Sequence, residues 1–308
     1  MKVAALDLGS NTFLCLIAEV GQNKILQTYA DDVEIVRLSQ GLSEGECFHP
    51  EALDRADKCL KKMSQLIEKH QPQVVLAMAT AAARKAKNPE ALFELGKKYG
   101  VPIEIIPGDK EASITYQGAV SGLKDQNKNL LVIDIGGGST EFIYGRGSQL
   151  VAAKSYNIGC VNLTEKFITS QPTTDEDIHK ASDVIAQHVY LASQLCPTDF
   201  KIDEILAVAG TPTTLAAAII GKFDPDLVDG YVLTLSLLLE WQKKIQQSTL
   251  EQKIILGIPS GRADVILIGI LILIETLKQF KLNQITVSTR GVRYGIALEI
   301  DRRHQFNS

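Results

Sequence analysis

Short, unbroken apolar runs alternate along this chain with longer stretches in which apolar residues recur at helical spacing. Residues 74–79 are a run of the first kind, suited to a central strand buried on both faces, and 103–106 return as a strand. Upstream, Leu53, Ala56, Leu60, Met63 and Ile67 recur every three or four residues across 50–70, with Pro50 suited to a first helical turn and Pro72 marking the end. Asn88-Pro89 opens a second helix that Gly100 closes. The alternation continues downstream: Thr174-Asp175 caps a helix through 195, and residues 205–209 form a strand that turns through Gly210-Thr211 into another helix. A helix over 262–280, a strand over 285–288 and a closing helix over 292–303 follow. Strand and helix in regular turn predict an α/β protein whose sheets are covered by helices.

An internal echo divides the chain. Val3-Ala4-Ala5-Leu6-Asp7-Leu8-Gly9-Ser10-Asn11-Thr12-Phe13 returns as Leu131-Val132-Ile133-Asp134-Ile135-Gly136-Gly137-Gly138-Ser139-Thr140-Glu141-Phe142. Each copy reads apolar strand, Asp, glycine turn, hydroxyl residue, apolar strand, and each begins one half of the chain, so duplicated domains are the simplest explanation. A polar stretch over 121–129 precedes the second copy and marks a boundary. The expected domains are 1–122 and 123–295, with a final helix over about 296–308 packing back on the first.

Composition narrows the function. A length of 308 residues suits two domains, and 45% hydrophobic with 22% charged residues is the balance of a folded globular chain. With 32 Lys plus Arg against 36 Asp plus Glu, there is no overall positive field of the kind that holds a nucleic acid polymer. A polyanionic ligand must be gripped by a local constellation instead. Five cysteines, odd in number and never spaced as CxxC, suggest neither a disulfide framework nor a zinc site and fit a reducing cytoplasm. The start reaches Asp7 before a signal-peptide apolar region is complete, so no export signal is expected. The longest apolar stretch, 265–274, is far short of the roughly 20 residues that span a bilayer and reads as a buried helix, so no membrane partner is expected.

Strand, Asp, glycine turn and Ser/Thr make a phosphate site by geometry, because glycines admit a close ligand and successive N–H groups point at the anion. Gly9, Ser10, Asn11 and Thr12 form one such loop, and Gly136, Gly137, Gly138 and Ser139 the other. One glycine turn alone would more often only reverse the chain; two matching turns favour phosphate. Asp134 and Glu141 flank the second loop, where two carboxylates suit a magnesium ion held directly or through water, and Asp7 is the counterpart aspartate of the first loop. The stretch Asp109-Lys110-Glu111-Ala112 also suits a first helical turn, where acidic residues complement the dipole. A lone Arg84 is most simply a solvated cation. The five histidines fall outside these motifs and lack metal-ligand spacing.

Asp7-Leu8-Gly9-Ser10-Asn11-Thr12, Ala79-Thr80-Ala81-Ala82-Ala83-Arg84, Gly108-Asp109-Lys110-Glu111-Ala112 and Asp134-Ile135-Gly136-Gly137-Gly138-Ser139-Thr140-Glu141 stand in the order found in one known family. So do Val208-Ala209-Gly210-Thr211, Arg262-Ala263-Asp264-Val265-Ile266 and Val287-Ser288-Thr289-Arg290-Gly291-Val292-Arg293. Over nearly its whole length the chain therefore resembles the Ppx/GppA phosphatases, the exopolyphosphatases and guanosine pentaphosphate phosphohydrolases. The resemblance implies duplicated ribonuclease-H-like domains, as in actin, sugar kinases and heat-shock chaperone ATPases, with phosphate bound in a cleft between lobes. It implies that Glu111 activates the attacking water, that Asp134 and Glu141 serve a divalent metal, and that Arg84, both loops and Gly210-Thr211 grip phosphates. Magnesium is the expected ion, with manganese as the alternative, and a homodimer is a further expectation. Arg37, Lys110, Arg262, Arg290 and Arg293 are secondary candidates for holding a long polyanion.

Two positions depart from the pattern: Ala209 stands where relatives often have glycine, and Tyr294 where many have glutamate. The end at Ser308 resembles the short two-domain form, which argues against processive handling of very long polyphosphate. The expected reaction is removal of orthophosphate from the end of inorganic polyphosphate, with the 5′ end of guanosine pentaphosphate as the alternative. An ATP-dependent kinase of the same superfamily would need an adenosine site and an acceptor-binding carboxylate. A non-catalytic polyphosphate or alarmone sensor would have no use for intact Glu111, Asp134 and Glu141.

Overall fold

The structure is a computed structural model that describes residues 1–42, 45–123, 125 and 127–307. In chain order the first half contains β1 (Lys2–Leu8), β2 (Thr12–Gly21), β3 (Lys24–Ile35), α1 (Pro50–His70), β4 (Val74–Ala79), α2 (Ala81–Lys85), α3 (Glu90–Lys98), β5 (Ile103–Ile105) and α4 (Gly108–Val120). There follow β6 (Asn129–Ile135), β7 (Thr140–Arg146), β8 (Gln149–Tyr156), α5 (Cys160–Phe167), α6 (Asp175–Ser193), β9 (Glu204–Val208), α7 (Gly210–Ile220) and α8 (Pro225–Val228). The last are β10 (Val232–Thr234), α9 (Leu235–Gln246), α10 (Leu250–Ile255), α11 (Ile266–Phe280), β11 (Gln284–Val287) and α12 (Val292–Asn307). Two compact units result, Met1–Leu123 with Arg290–Ser308, and Lys124–Thr289.

The first unit holds a mixed sheet ordered β3-β2-β1-β4-β5, antiparallel through β1, β2 and β3 and parallel from β1 to β4 and β5. The two faces of β1 serve different cores. Ala4, Leu6 and Leu8 pack with Ala56, Leu60 and Met63 of α1, whereas Val3 and Ala5 pack with Ile114 of α4 and Ile296, Ala297 and Ile300 of α12. Side chains alternate across a strand, so the next residue on the α4/α12 face is Asp7. A carboxylate thus takes the last place in an apolar row.

In the second unit the sheet runs β10-β11-β9-β6-β7-β8, repeating the 3-2-1-4-5 order as β8-β7-β6-β9-β11 with β10 added at the edge. Two mixed sheets with the same strand order carry out the duplication expected from the echo and give the α/β, ribonuclease-H-like fold. Leu131, Ile133 and Ile135 of β6 face the core formed with α6, α9 and α11, which leaves Leu130, Val132 and Asp134 on the opposite face.

Helix α11 begins at Ile266 rather than at 262. The Arg262 N–H donates to the Pro259 carbonyl, and the Arg262 carbonyl accepts from Val265 and Ile266, which makes a turn ahead of the helix. Apolar periodicity cannot distinguish such a turn from a first helical turn. Among the described residues, no helix is long and apolar enough to cross a membrane.

Candidate active site

Glu111 lies in the first turn of α4, buried to 8% exposure. Its carboxylate accepts from Arg84 Nη1 at 2.7 Å and is also hydrogen-bonded by the Thr80 side chain. Arg84 extends from the short helix after β4 and is fixed by a second bond from the same Nη1 to the Ile106 carbonyl at 2.8 Å. Burial raises the proton affinity of Glu111 above the ordinary glutamate range, against the opposing pull of Arg84 and Thr80. Asp109–Ala112 is the first turn of a helix, and that turn carries a buried carboxylate.

Asp7 shares this surrounding. Its Oδ1 is buried without a hydrogen-bond partner, and burial, then the charge of Glu111, push its pKa up to about 8 against the opposing field of Arg293. Arg293, in the first turn of α12, is committed to Asp31 of β3 through Nε–Oδ1 at 2.6 Å and Nη2–Oδ2 at 2.8 Å. Burial works against its charge, but Asp31 outweighs this and holds it protonated. Arg293 therefore acts on the site through its field. Lys110, another secondary candidate, is paired with Glu299 at 2.7 Å. Arg290 packs against Gly122, with its guanidinium 5.5 Å from the Tyr294 ring centre.

Both loops turn by the same hydrogen bond: the Gly9 N–H donates to the Thr12 carbonyl at 3.1 Å, and the Gly136 N–H to the Ser139 carbonyl at 2.9 Å. Each is also held from behind. Cys160 N–H donates to the Gly136 carbonyl at 3.0 Å, Val161 N–H to Gly137 at 2.8 Å, and the Asn162 side-chain amide to Gly138 at 2.8 Å. In a planar trans peptide the N–H of the next residue points opposite to the carbonyl. The N–H groups of Gly137, Gly138 and Ser139 are thereby turned away from α5, the arrangement of an anion-receiving nest. Gly159 makes the clamp sterically feasible, since a Cβ there would lie 2.2 Å from the Gly137 carbonyl oxygen.

Asp134 and Glu141 sit directly opposite each other in the β6–β7 ladder and project from one face. Both are buried, at 7% and 4% exposure. Glu141 Oε1 accepts from the Ser139 hydroxyl at 2.8 Å and from the Ser155 hydroxyl at 2.6 Å. Two buried like charges opposed across a ladder are unfavourable alone, and the all-oxygen donor set fits a small hard cation. In the first unit Leu14 stands opposite Asp7, so that loop has no second carboxylate across its hairpin. Among the described residues no group of three or more His, Cys, Asp or Glu side chains offers another metal site.

Gly210 opens α7, and the Arg262 guanidinium lies against it: a Cβ on Gly210 would meet Arg262 Nη1 at 1.3 Å. Arg262 also exerts its charge on Cys160, the residue whose N–H holds Gly136, so it belongs to the surroundings of the second loop. Burial opposes its charge. Thr211 is buried with its side chain facing Gly269 of α11, which leaves its main-chain N–H at the helix start as the group suited to an anion. Arg37 adjoins the first loop through its backbone, whose N–H donates to the Asn11 carbonyl at 2.8 Å.

The departure at Ala209 has a physical consequence. Its φ of 72° and ψ of −163° lie in a region that is essentially reserved for glycine. Ala209→Gly is expected to stabilise the protein by about 1 kcal/mol, the relief of strain exceeding the entropy that glycine adds to the unfolded chain. Thermal denaturation checks this; a lower melting temperature would contradict it. Thr80, Ser155, Gly159, Asn162 and Asp31 were not singled out from the sequence, because each acts through a pairing formed only in the fold. The nearest signal was Thr80, inside the Ala79–Arg84 motif.

The model of the Ppx/GppA phosphatase family matches residues 16–304. Exopolyphosphatase 2 of Mycobacterium tuberculosis is 31% identical over 315 aligned positions, covering 97% of this chain and 98% of that protein. Guanosine-5'-triphosphate,3'-diphosphate pyrophosphatase of Photobacterium profundum is 30% identical, covering 96% of this chain and 59% of the relative. The crystal structure of an exopolyphosphatase from Cytophaga hutchinsonii superposes with a TM-score of 0.89 at 26% identity, covering 98% of each chain. With both glycine loops, Glu111 and Arg84 in place and the match running almost end to end, the chain belongs to the Ppx/GppA phosphatase family.

Proposed function

We propose that this protein is an exopolyphosphatase, a phosphoanhydride hydrolase that releases orthophosphate from the end of inorganic polyphosphate. The observation that carries the reading is Glu111: a buried carboxylate of raised proton affinity, fixed in place by a guanidinium. A water hydrogen-bonded to Glu111 gives up its proton to that carboxylate as its oxygen bonds to the terminal phosphorus. The bridging P–O bond breaks, and its electron pair leaves on the shortened chain. Anhydride phosphorus is shielded by anionic oxygens, so attack needs charge neutralisation. In the first unit Arg84 and the N–H groups of the Gly9–Thr12 loop supply it. The second unit carries its own anion-receiving groups in the Gly136–Ser139 loop, Gly210 and Arg262.

Asp134 and Glu141 would hold magnesium, with manganese as the alternative, since magnesium is commonly bound by one or two carboxylates together with substrate phosphates. When bound, the ion supplies positive charge to phosphate oxygens. Guanosine pentaphosphate is the second reading, favoured by the similarity to the Photobacterium pyrophosphatase across 96% of this chain.

Orthophosphate release from the two substrates, measured side by side with magnesium and no acceptor, tests the choice. A higher kcat/KM for polyphosphate is expected. A higher value for guanosine pentaphosphate would overturn the polyphosphate assignment, while transfer only to an added acceptor would indicate a kinase.

A further inference from the structure

Arg55 of α1 makes three hydrogen bonds, none to a carboxylate among the described residues. Nε donates to the Val36 carbonyl at 2.6 Å, and Nη2 to the Arg37 carbonyl at 3.1 Å and to Gln40 Oε1 at 2.9 Å. The segment so held makes the next layer of contacts. The N–H groups of Val36 and Arg37 converge on the Asn11 carbonyl at 2.9 and 2.8 Å, and the Ser39 N–H donates to the Ser10 carbonyl at 2.9 Å. This convergence requires Arg37 to adopt a left-handed backbone with φ of 51°, a conformation unfavourable for a residue bearing a side chain. The Arg55 guanidinium braces this turn from the other side by holding the Val36 and Arg37 carbonyls.

We propose that Arg55 is a positioning residue that keeps the Gly9–Thr12 loop in its anion-receiving conformation and thereby sets the enzyme's affinity for phosphate chains. With the Ser10 and Asn11 carbonyls fixed against the 36–39 segment, peptide planarity turns the Asn11 and Thr12 N–H groups to the opposite side. The second loop is clamped to the same end by Cys160, Val161 and Asn162. Arg55 is the first unit's equivalent, acting one layer further back. The inference rests on the hydrolase reading only in taking the loop's ligand to be phosphate.

Calorimetric titration with tripolyphosphate and magnesium, in protein carrying Glu111→Gln so that turnover does not intervene, separates binding from chemistry. Adding Arg55→Met is expected to weaken binding roughly tenfold at temperatures where circular dichroism shows the protein folded, as loss of an interaction made equally in ground and transition states. Arg55→Lys, which keeps one donor for a carbonyl, should fall between the two and decides the matter if the Met variant does not fold. In turnover, Arg55→Lys should raise KM with little change in kcat. Affinity within twofold of the parent in folded Arg55→Met, or in Arg55→Lys when the Met variant is unfolded, would overturn the assignment. Parent protein that binds tripolyphosphate while wild type releases no phosphate would sink the hydrolase reading and leave the role of Arg55 standing.

Discussion

Glu111→Gln is expected to lower orthophosphate release from polyphosphate by about a hundredfold to ten-thousandfold, the usual contribution of a positioned general base. Glutamine preserves the shape and can still face Arg84, so the loss should fall on kcat, with KM changed only a few-fold. The pH profile gives an independent sign. As a general base Glu111 would act only when deprotonated, and burial has raised its proton affinity. The wild-type rate should therefore decline, as pH falls, at a higher pH than an ordinary glutamate near 4.3 would allow. That acid limb should be missing from the residual activity of the variant. A variant retaining a tenth or more of the wild-type kcat would remove Glu111 from the chemistry.

Gly295→Ala is expected to carry the largest effect on stability. A Cβ at this position in α12 would lie 1.9 Å from the Ile114 carbonyl oxygen of α4, and one on Gly118 would lie 2.2 Å from the Gly291 carbonyl oxygen. The two helices touch backbone to backbone, so no rotamer change can make room. Overpacking of a tight core typically costs 1–3 kcal/mol, and the clash with backbone places this case at about 3 kcal/mol or more. The melting temperature should fall by roughly 10 °C. Activity should fall further than the folded fraction does, because Ile114 lies one turn beyond Glu111 on the helix that would be displaced. A melting temperature within 2 °C of wild type, in scans resolving about that difference, would contradict this packing.

These two sites differ in how far the sequence discloses them. The echo around Asp7 and Asp134 predicts both hairpins, because strand, glycine turn and strand are local features. Asp7 even shows its facing in advance, since it continues the period-two row of Val3 and Ala5. Glu111 is legible as a helix-start acid, but only the fold reveals that α12 and Arg84 make its surroundings buried. Ser155 is silent in the sequence because its bond to Glu141 depends on β7–β8 register. Arg293 reads from the sequence as a secondary candidate for holding a polyanion and turns out to be paired with Asp31, which is 262 residues away. Gly159 looks like an ordinary loop glycine until the second glycine loop is packed against it. Local periodicity thus gives elements and loops, whereas the charge state and support of each candidate site residue come from long-range pairings.

The most direct test of the central claim is the initial rate of orthophosphate release from polyphosphate with magnesium, in the absence of any acceptor, for wild type and Glu111→Gln at equal folded concentration. The account predicts sustained release by the wild type and a loss of at least about a hundredfold in the variant. No release by folded wild-type protein, or equal release by the two proteins, would contradict it.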